Sequence, residues 1–180
     1  LTVELLQQPA TGVPAKDGSI LLSQGFALET GEGFLWRLNR LSKPVCTCTA
    51  VTIRKNTEGR VVEASQRMTL ACAHVFGAGE RFEAVELKGR EVLTRVVEKF
   101  THQEENSYLP MPFFHTEQGF GWYRASDIPA RMRFGDVTEI TQETEGETLT
   151  RDVLFFGTPE QVLAQYLRAT GEPVLPQEWS

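Results

Sequence analysis

Three histidines, three cysteines and a scatter of carboxylates are the residues of this 180-residue chain that could do chemistry. Cys46 and Cys48 stand two apart in VCTCTAVTI, a run that reads as a strand, so both project from one face. Along a strand their Cα atoms lie about 6.6 Å apart, near the upper limit for a disulfide. A C-x-C metal site needs further ligands, yet Cys72 is the remaining thiol and no histidine sits at ligand spacing. The cysteines are therefore expected to be small buried apolar residues, with no metal or other cofactor. Glu104-Glu105 is an adjacent pair of carboxylates, but neighbours in an extended chain point opposite ways, which suits a solvated acidic loop better than acid/base work. Glu80-Arg81 is expected to be an ion pair bracing the base of a loop, because Arg81 offers a rigid bidentate donor. His74, His102 and His115 are spaced without a pattern and are expected to be satisfied or exposed. Trp36 and Trp122 could stack on a ligand, but each alternates within a strand-like run and is assigned to the core.

The elements that would position these residues are mostly strands. Residues 19–30 and 33–41 read as strands separated by Gly31-Glu32-Gly33, and Lys43-Pro44 is expected to break the second. Residues 45–54 follow, then a turn over 55–59 into a strand over 60–70, then strands over 71–76 and 91–97. Residues 111–116 and 120–124 form an expected hairpin, with Gly119 in the left-handed position of a bulged turn. Pro110 and Pro112 lack an amide donor and belong where that strand enters the sheet or along an edge. Residues 137–144 and 148–156 read as a further hairpin around Glu145-Gly146-Glu147. One helix is expected over 158–170, with Thr158 and Gln161 as a capping box, Pro159 in the first turn and Gly171 at the stop. Its apolar face is Val162, Leu163, Tyr166 and Leu167. The fold class is mainly β, an antiparallel β-sandwich with one short C-terminal helix.

Composition narrows the partners. The net charge of −6 argues against nucleic acid, and no run approaches the about 20 apolar residues of a membrane span. The free thiols point to a reducing, cytoplasmic setting.

Residues 75–123 carry a resemblance to a known family. Val75-Phe76-Gly77-Ala78-Gly79-Glu80-Arg81-Phe82, Lys88-Gly89-Arg90, Tyr108 to Phe114 and Gly119-Phe120-Gly121 are similar, in that order, to a pattern of the N-terminal β-sandwich of glycoside hydrolase family 31, which includes α-glucosidases and α-xylosidases. Ala78 replaces the usual Leu, and Leu109-Pro110-Met111 replaces Lys-Ser-Ile. Residues 155–179 resemble the family's passage from sandwich to barrel, whose closing Trp, here Trp179, leads into the (β/α)₈ catalytic barrel.

The resemblance implies a galactose mutarotase-like supersandwich over 1–157 and, over 158–180, a helix and linker leading toward a barrel that this stretch does not include. It implies a retaining α-glycosidase acting on α-glucosides or α-xylosides, with no catalytic residue in this chain, because both family aspartates lie on barrel strands. Asp17, Asp127, Asp136 and Asp152 stand in unrelated contexts. The domain is then expected to support the barrel and to lend residues 98–107 to sugar binding, with Glu98, Thr101, His102, Gln103 and Glu104 as the candidate contacts. Its partners are the barrel and a carbohydrate substrate, and a homo-oligomer is compatible with the sequence. Two other classes remain open: a free-standing carbohydrate-binding or interaction module, and an aldose epimerase-like enzyme using a histidine and a glutamate as acid and base. A domain cut from its barrel is further expected to expose an apolar patch around the helix and residues 174–179.

Overall fold

The computed structural model describes residues 2–7, 29–30, 35–99, 104, 106–143, 152–171 and 174. Among them twelve strands form two antiparallel sheets. The larger contains β1 (Thr2–Gln7), β3 (Leu35–Arg40), β4 (Lys43–Lys55), β5 (Val61–Leu70), β11 (Thr138–Glu143), β10 (Ala130–Phe134) and β7 (Glu91–Leu93), in that spatial order. The smaller is β2 (Glu29–Thr30), β12 (Asp152–Phe156), β9 (Phe120–Arg124), β8 (Pro110–Thr116) and β6 (Val75–Gly79). One helix, α1 (Pro159–Thr170), lies on the smaller sheet through contacts with β12, β9 and β8. The expected antiparallel β-sandwich with one short C-terminal helix is what the chain forms.

Period-two patterning explains the layers. In β10, Ala130, Met132 and Phe134 are buried while Arg131 and Arg133 are exposed, so one face joins the core and the other meets water. Trp36, Leu38, Cys46, Met68, Met132 and Ile140 from the larger sheet meet Phe114, Phe120, Trp122, Leu154 and Phe156 from the smaller. Phe114 stands at the centre, 5.5 Å from the Trp122 ring in a stacked arrangement and 5.1 Å from Phe134 edge-on. Trp36 and Trp122 are fully buried, as expected for core residues. Cys46 and Cys48 are buried free thiols, whereas Cys72 is half-buried.

The opposite face of the smaller sheet is covered by α1. Phe113 and Phe155 face Val162 and Tyr166, and the Phe113 and Tyr166 rings stack at 4.0 Å. The close approach requires Gly121, where a Cβ would lie 2.5 Å from Val162 Cγ1. Burial of a side chain such as Val162 contributes roughly 1.5–3 kcal/mol. Thr158 caps the helix, its Oγ1 accepting from Gln161 N at 3.3 Å while Gln161 Oε1 accepts from Thr158 N at 2.9 Å. Leu163 does not join the apolar face and is 45% exposed. Gln165 is buried there instead, because its amide donates to Phe156 O at 2.8 Å and accepts from Phe156 N at 3.4 Å.

Three sequence expectations are corrected. Lys43-Pro44 does not end the strand pair; they open β4, opposite Arg40 and Asn39. The turn is Leu41-Ser42, both with positive φ (48° and 64°), as a two-residue hairpin requires even without glycine. Residues 137–144 and 148–156 do not pair with each other. Thr138–Glu143 pairs with β10 and β5 in the larger sheet, and Asp152–Phe156 pairs with β9 and β2 in the smaller. Their alternation fits either sheet, so pattern alone could not separate them, and β10 itself was missed. Finally, Pro110 opens β8 as expected, but β8 is an inner strand and Pro112 lies within it, tolerated because the β6–β8 pairing is irregular between Gly77 and Gly79. Of the strand expected over 19–30 only Glu29–Thr30 is described, and the turn at 145–147 lies outside the described residues.

Candidate functional site

The polar interval 98–107 leaves the sandwich beside β7 and returns into β8. Its base is pinned. Val97 N donates to Ser107 O at 3.1 Å, and Ser107 Oγ donates to Glu80 O at 2.6 Å while accepting from Leu109 N at 3.1 Å. The Tyr108 hydroxyl donates to Lys99 O, and Lys99 Nζ lies 3.5 Å from Glu104 Oε2. Glu98 is exposed on one limb of the loop and Glu104 is exposed near the other. Thr101, His102 and Gln103, the remaining candidate sugar contacts, lie outside the described residues.

Arg81 braces this base through backbone and not through Glu80. Its guanidinium donates to Ala78 O at 3.0 Å and Leu93 O at 3.1 Å, and partial burial lowers its pKa below that of a free guanidinium. Around the same base the chain exposes Phe82, Leu93, Val96, Tyr108 and Leu109. Phe82 and Tyr108 meet edge-on at 6.3 Å, Leu109 O accepts from Glu80 N, and Val96 bridges to Ser107, so these residues form one strip. Of the apolar patch expected around the helix and residues 174–179, Leu163 and Val174 are exposed, and 175–179, Trp179 included, lie outside the described residues.

Next to the strip is a cleft of about 280 Å³. Arg81, Glu83, Arg90, Glu91 and Glu104 line it with charged side chains, and Leu87 and Val92 with apolar ones. The walls are built from the segment between β6 and β7. Leu87 N bonds Val75 O at 2.8 Å, Gly89 N bonds Phe134 O at 2.5 Å, and Phe134 N bonds Arg90 O at 2.8 Å. Glu86 fixes the same segment. Partial burial raises its pKa, but bonds from Val75 N, Lys88 N and His74 outweigh that and hold the carboxyl below the usual range. Glu91 is held low by Arg131 and Arg133. No sequence signal singled out this cleft, because its walls come from residues whose charges read as ordinary surface.

The histidines do not assemble an acid/base site. His74 Nδ1 lies 2.5 Å from Glu86 Oε2, so that pair is spent on each other, and Glu86 Oε1 already takes two backbone amides. His115 sits on the face of the smaller sheet that carries α1, between Phe76 and Phe113, and burial lowers its pKa. Burial pushes the Cys72 thiol up to about 11 and raises Cys46 and Cys48 as well, so none is a ready nucleophile. Among the described residues no three of His, Cys, Asp and Glu converge as metal ligands. Among them, too, no helix is long and apolar enough to cross a membrane.

One polar cluster that sequence reasoning missed lies between the sheets. Arg124 Nε donates to Asp152 Oδ1 at 2.7 Å and Nη2 to Asp152 Oδ2 at 3.1 Å. The same guanidinium reaches Gln142 Oε1 at 3.2 Å and Gln66 Oε1 at 3.4 Å across the sandwich, and lies 5.0 Å from the Trp122 ring centre. Its members are buried and fully engaged, which makes it a structural device.

No model of a protein family matches the chain. Among curated proteins it is 31% identical over 108 residues to alpha-xylosidase XylQ of Lactiplantibacillus pentosus, a match covering 59% of this chain and 14% of that protein. It is 24% identical over 117 residues to an isomaltosyltransferase of Sporosarcina globispora, covering 61% of this chain and 11% of that one. Among solved structures, the cycloalternan-forming enzyme from Listeria monocytogenes in complex with a pentasaccharide superposes with a TM-score of 0.73 at 17% identity, over 82% of this chain and 15% of that one. The chain thus spans about a seventh or less of the curated relatives it matches. The sequence relatives are carbohydrate-active enzymes, and the structural likeness shows the same sandwich. Over the matched part the chain is similar to enzymes of glycoside hydrolase family 31, and its sandwich is the one that the solved enzyme shares.

Proposed function

We propose that the chain is the N-terminal domain of a retaining α-glycosidase acting on α-glucosides or α-xylosides, supporting a catalytic barrel and lending the loop 98–107 to its sugar-binding site. The observation that carries this reading is the pairing of a pinned polar loop with an exposed apolar strip at its base. Phe82 is 55%, Tyr108 44%, Leu109 53% and Val96 60% exposed. Contiguous apolar surface beside a polar rim is what an interdomain contact leaves on one partner. The described ends of the loop lie at the same place, so a barrel seated on the strip would meet Glu98 and Glu104 beside it. Carboxylates and amides at that position can accept and donate to sugar hydroxyls, while the barrel supplies the two catalytic carboxyl groups. The domain itself needs no metal or cofactor for this role, and by itself it is inactive.

The test has two arms. The purified chain should release no aglycone from aryl α-glucosides or α-xylosides, and turnover that persists through purification would overturn the reading. In a polypeptide that joins this domain to a barrel, Phe82→Ser with Tyr108→Ser should loosen the domain contact, seen as separate melting transitions. A single unchanged transition would place the contact elsewhere. Accelerated equilibration of α- and β-glucose by the chain alone would favour the epimerase class. An intact chain that binds glycans but does not contact a barrel would favour the free-standing module.

A further inference from the structure

We infer that Tyr108 is a positioning residue that ties the placement of Glu98 and Glu104 to the contact between the domain and its barrel. The inference rests on the role proposed above for the loop, and adds the residue through which the loop is set. Tyrosine joins an apolar ring to a polar tip, and here the two ends have different partners. The ring belongs to the strip: it is exposed beside Leu109 and meets Phe82 edge-on at 6.3 Å, so a seated barrel would cover it. The hydroxyl reaches the loop and donates to Lys99 O. From Lys99 the placement passes to both carboxylates, since Glu98 precedes it in the chain and its Nζ lies 3.5 Å from Glu104 Oε2. The backbone under the ring is fixed. Ser107 is fully buried, its Oγ bonded to Glu80 O and Leu109 N, and its carbonyl accepts from Val97 N at 3.1 Å. Arg81 braces the same base by donating to Leu93 O. A barrel pressed on the ring restricts it further, and the hydroxyl carries that restriction to Lys99. Domain contact and sugar affinity are then coupled through one side chain. Phenylalanine at this position would keep the ring and lose the link.

Tyr108→Phe is the deciding variant, because it removes only the donor. In the chain by itself, the Val97 amide should exchange with solvent about fivefold faster in Tyr108→Phe, as one lost hydrogen bond predicts, with Met132 and Ile140 in the core strands unchanged. Phe82→Ser should also speed exchange at Val97, but the double variant should exchange no faster than Tyr108→Phe. Unchanged exchange in Tyr108→Phe, or additive effects of the two, overturns the inference and leaves the proposed function standing. In a polypeptide that joins the domain to a barrel, Tyr108→Phe should keep kcat and raise KM about fivefold. Glu98→Ala and Glu104→Ala in the same polypeptide test the loop's own role. A raised KM in either of these, with KM unchanged in Tyr108→Phe, overturns the inference alone. An unchanged KM in all three overturns the loop's role and the inference with it. A fall in kcat for Tyr108→Phe would put the hydroxyl in the chemistry and overturn its assignment as a positioning group.

Discussion

Arg124 lies between the sheets, its guanidinium held by Asp152, Gln142 and Gln66, whereas Arg131 and Arg133 lie on the outer surface of β10 and share Glu91 with water. The buried pair has 3% and 5% exposed side chains, and the outer arginines are more than half exposed. In the core each charge has surrendered its hydration, so the network is stable only when every partner is present. On the surface, water takes over whatever a lost partner gave. The inner cluster therefore locks β9, β12, β5 and β11 in one relative placement. The outer cluster is free to shape a cleft without endangering the fold.

The largest expected effect breaks the inner cluster. Asp152→Ala should cost about 3–5 kcal/mol, because it strands Arg124 between the sheets. Replacing both, as Arg124→Met with Asp152→Leu, should recover most of that loss. Urea unfolding of the three variants against the parent measures it. A single-variant cost under about 1 kcal/mol would mean that water reaches the guanidinium.

A second prediction concerns the hairpin that ties the smaller sheet together. Gly119→Ala puts a Cβ 1.7 Å from Gly157 O at a φ of 74°, so about 3 kcal/mol should be lost. Gly59→Ala has a similar φ of 79° but nothing within 4 Å, and should cost only about 1 kcal/mol. Equal midpoint shifts for the two would show that the β8–β9 turn can move away from Gly157.

These contrasts mark what the sequence made legible. Gly119 announced its turn, and Thr158, Pro159 and Gln161 announced the helix start, because both depend on neighbours along the chain. Trp36 and Trp122 announced their burial through alternation. Sheet membership was not local: Asp152–Phe156 alternates as well for either sheet, and its place follows from pairing with β9. Arg131 and Arg133 made β10 look polar, although Ala130, Met132 and Phe134 mark its inner face. Arg124 and Asp152 are 28 positions apart, with Gln66 58 positions from Arg124, and nothing in their local contexts links them. Of the candidate sugar contacts, Glu98 and Glu104 are placed on the loop, while the cleft beside them emerged only from the fold.

A third prediction uses acid. Burial lowers the pKa of His115 from 6.5 in the folded chain, so the unfolded chain binds its proton first as pH falls. Stability attributable to His115 is present above pH 6.5 and is lost as pH drops through the lowered folded value. Glu86, Glu91 and Glu117 also have lowered pKa values, and their contributions are lost below about 4.5. Thermal midpoints should fall in two stages as pH is lowered. His115→Phe should flatten the upper stage, and a variant that keeps it would move the titration to another group.

The smallest effect belongs to the outer cluster. Glu91→Gln keeps the side chain's shape and removes the charge that Arg131 and Arg133 share. Both arginines are more than half exposed, so the loss should be about 1 kcal/mol or less. It should shrink further in 1 M salt, where the screening length falls to about 3 Å. Asp152→Ala should keep nearly all of its cost in the same salt, because its partner is shielded by protein. Destabilisation matching that of Asp152→Ala, insensitive to salt, would mean that the outer cluster holds the sandwich together as the inner one does, and would erase the distinction between them.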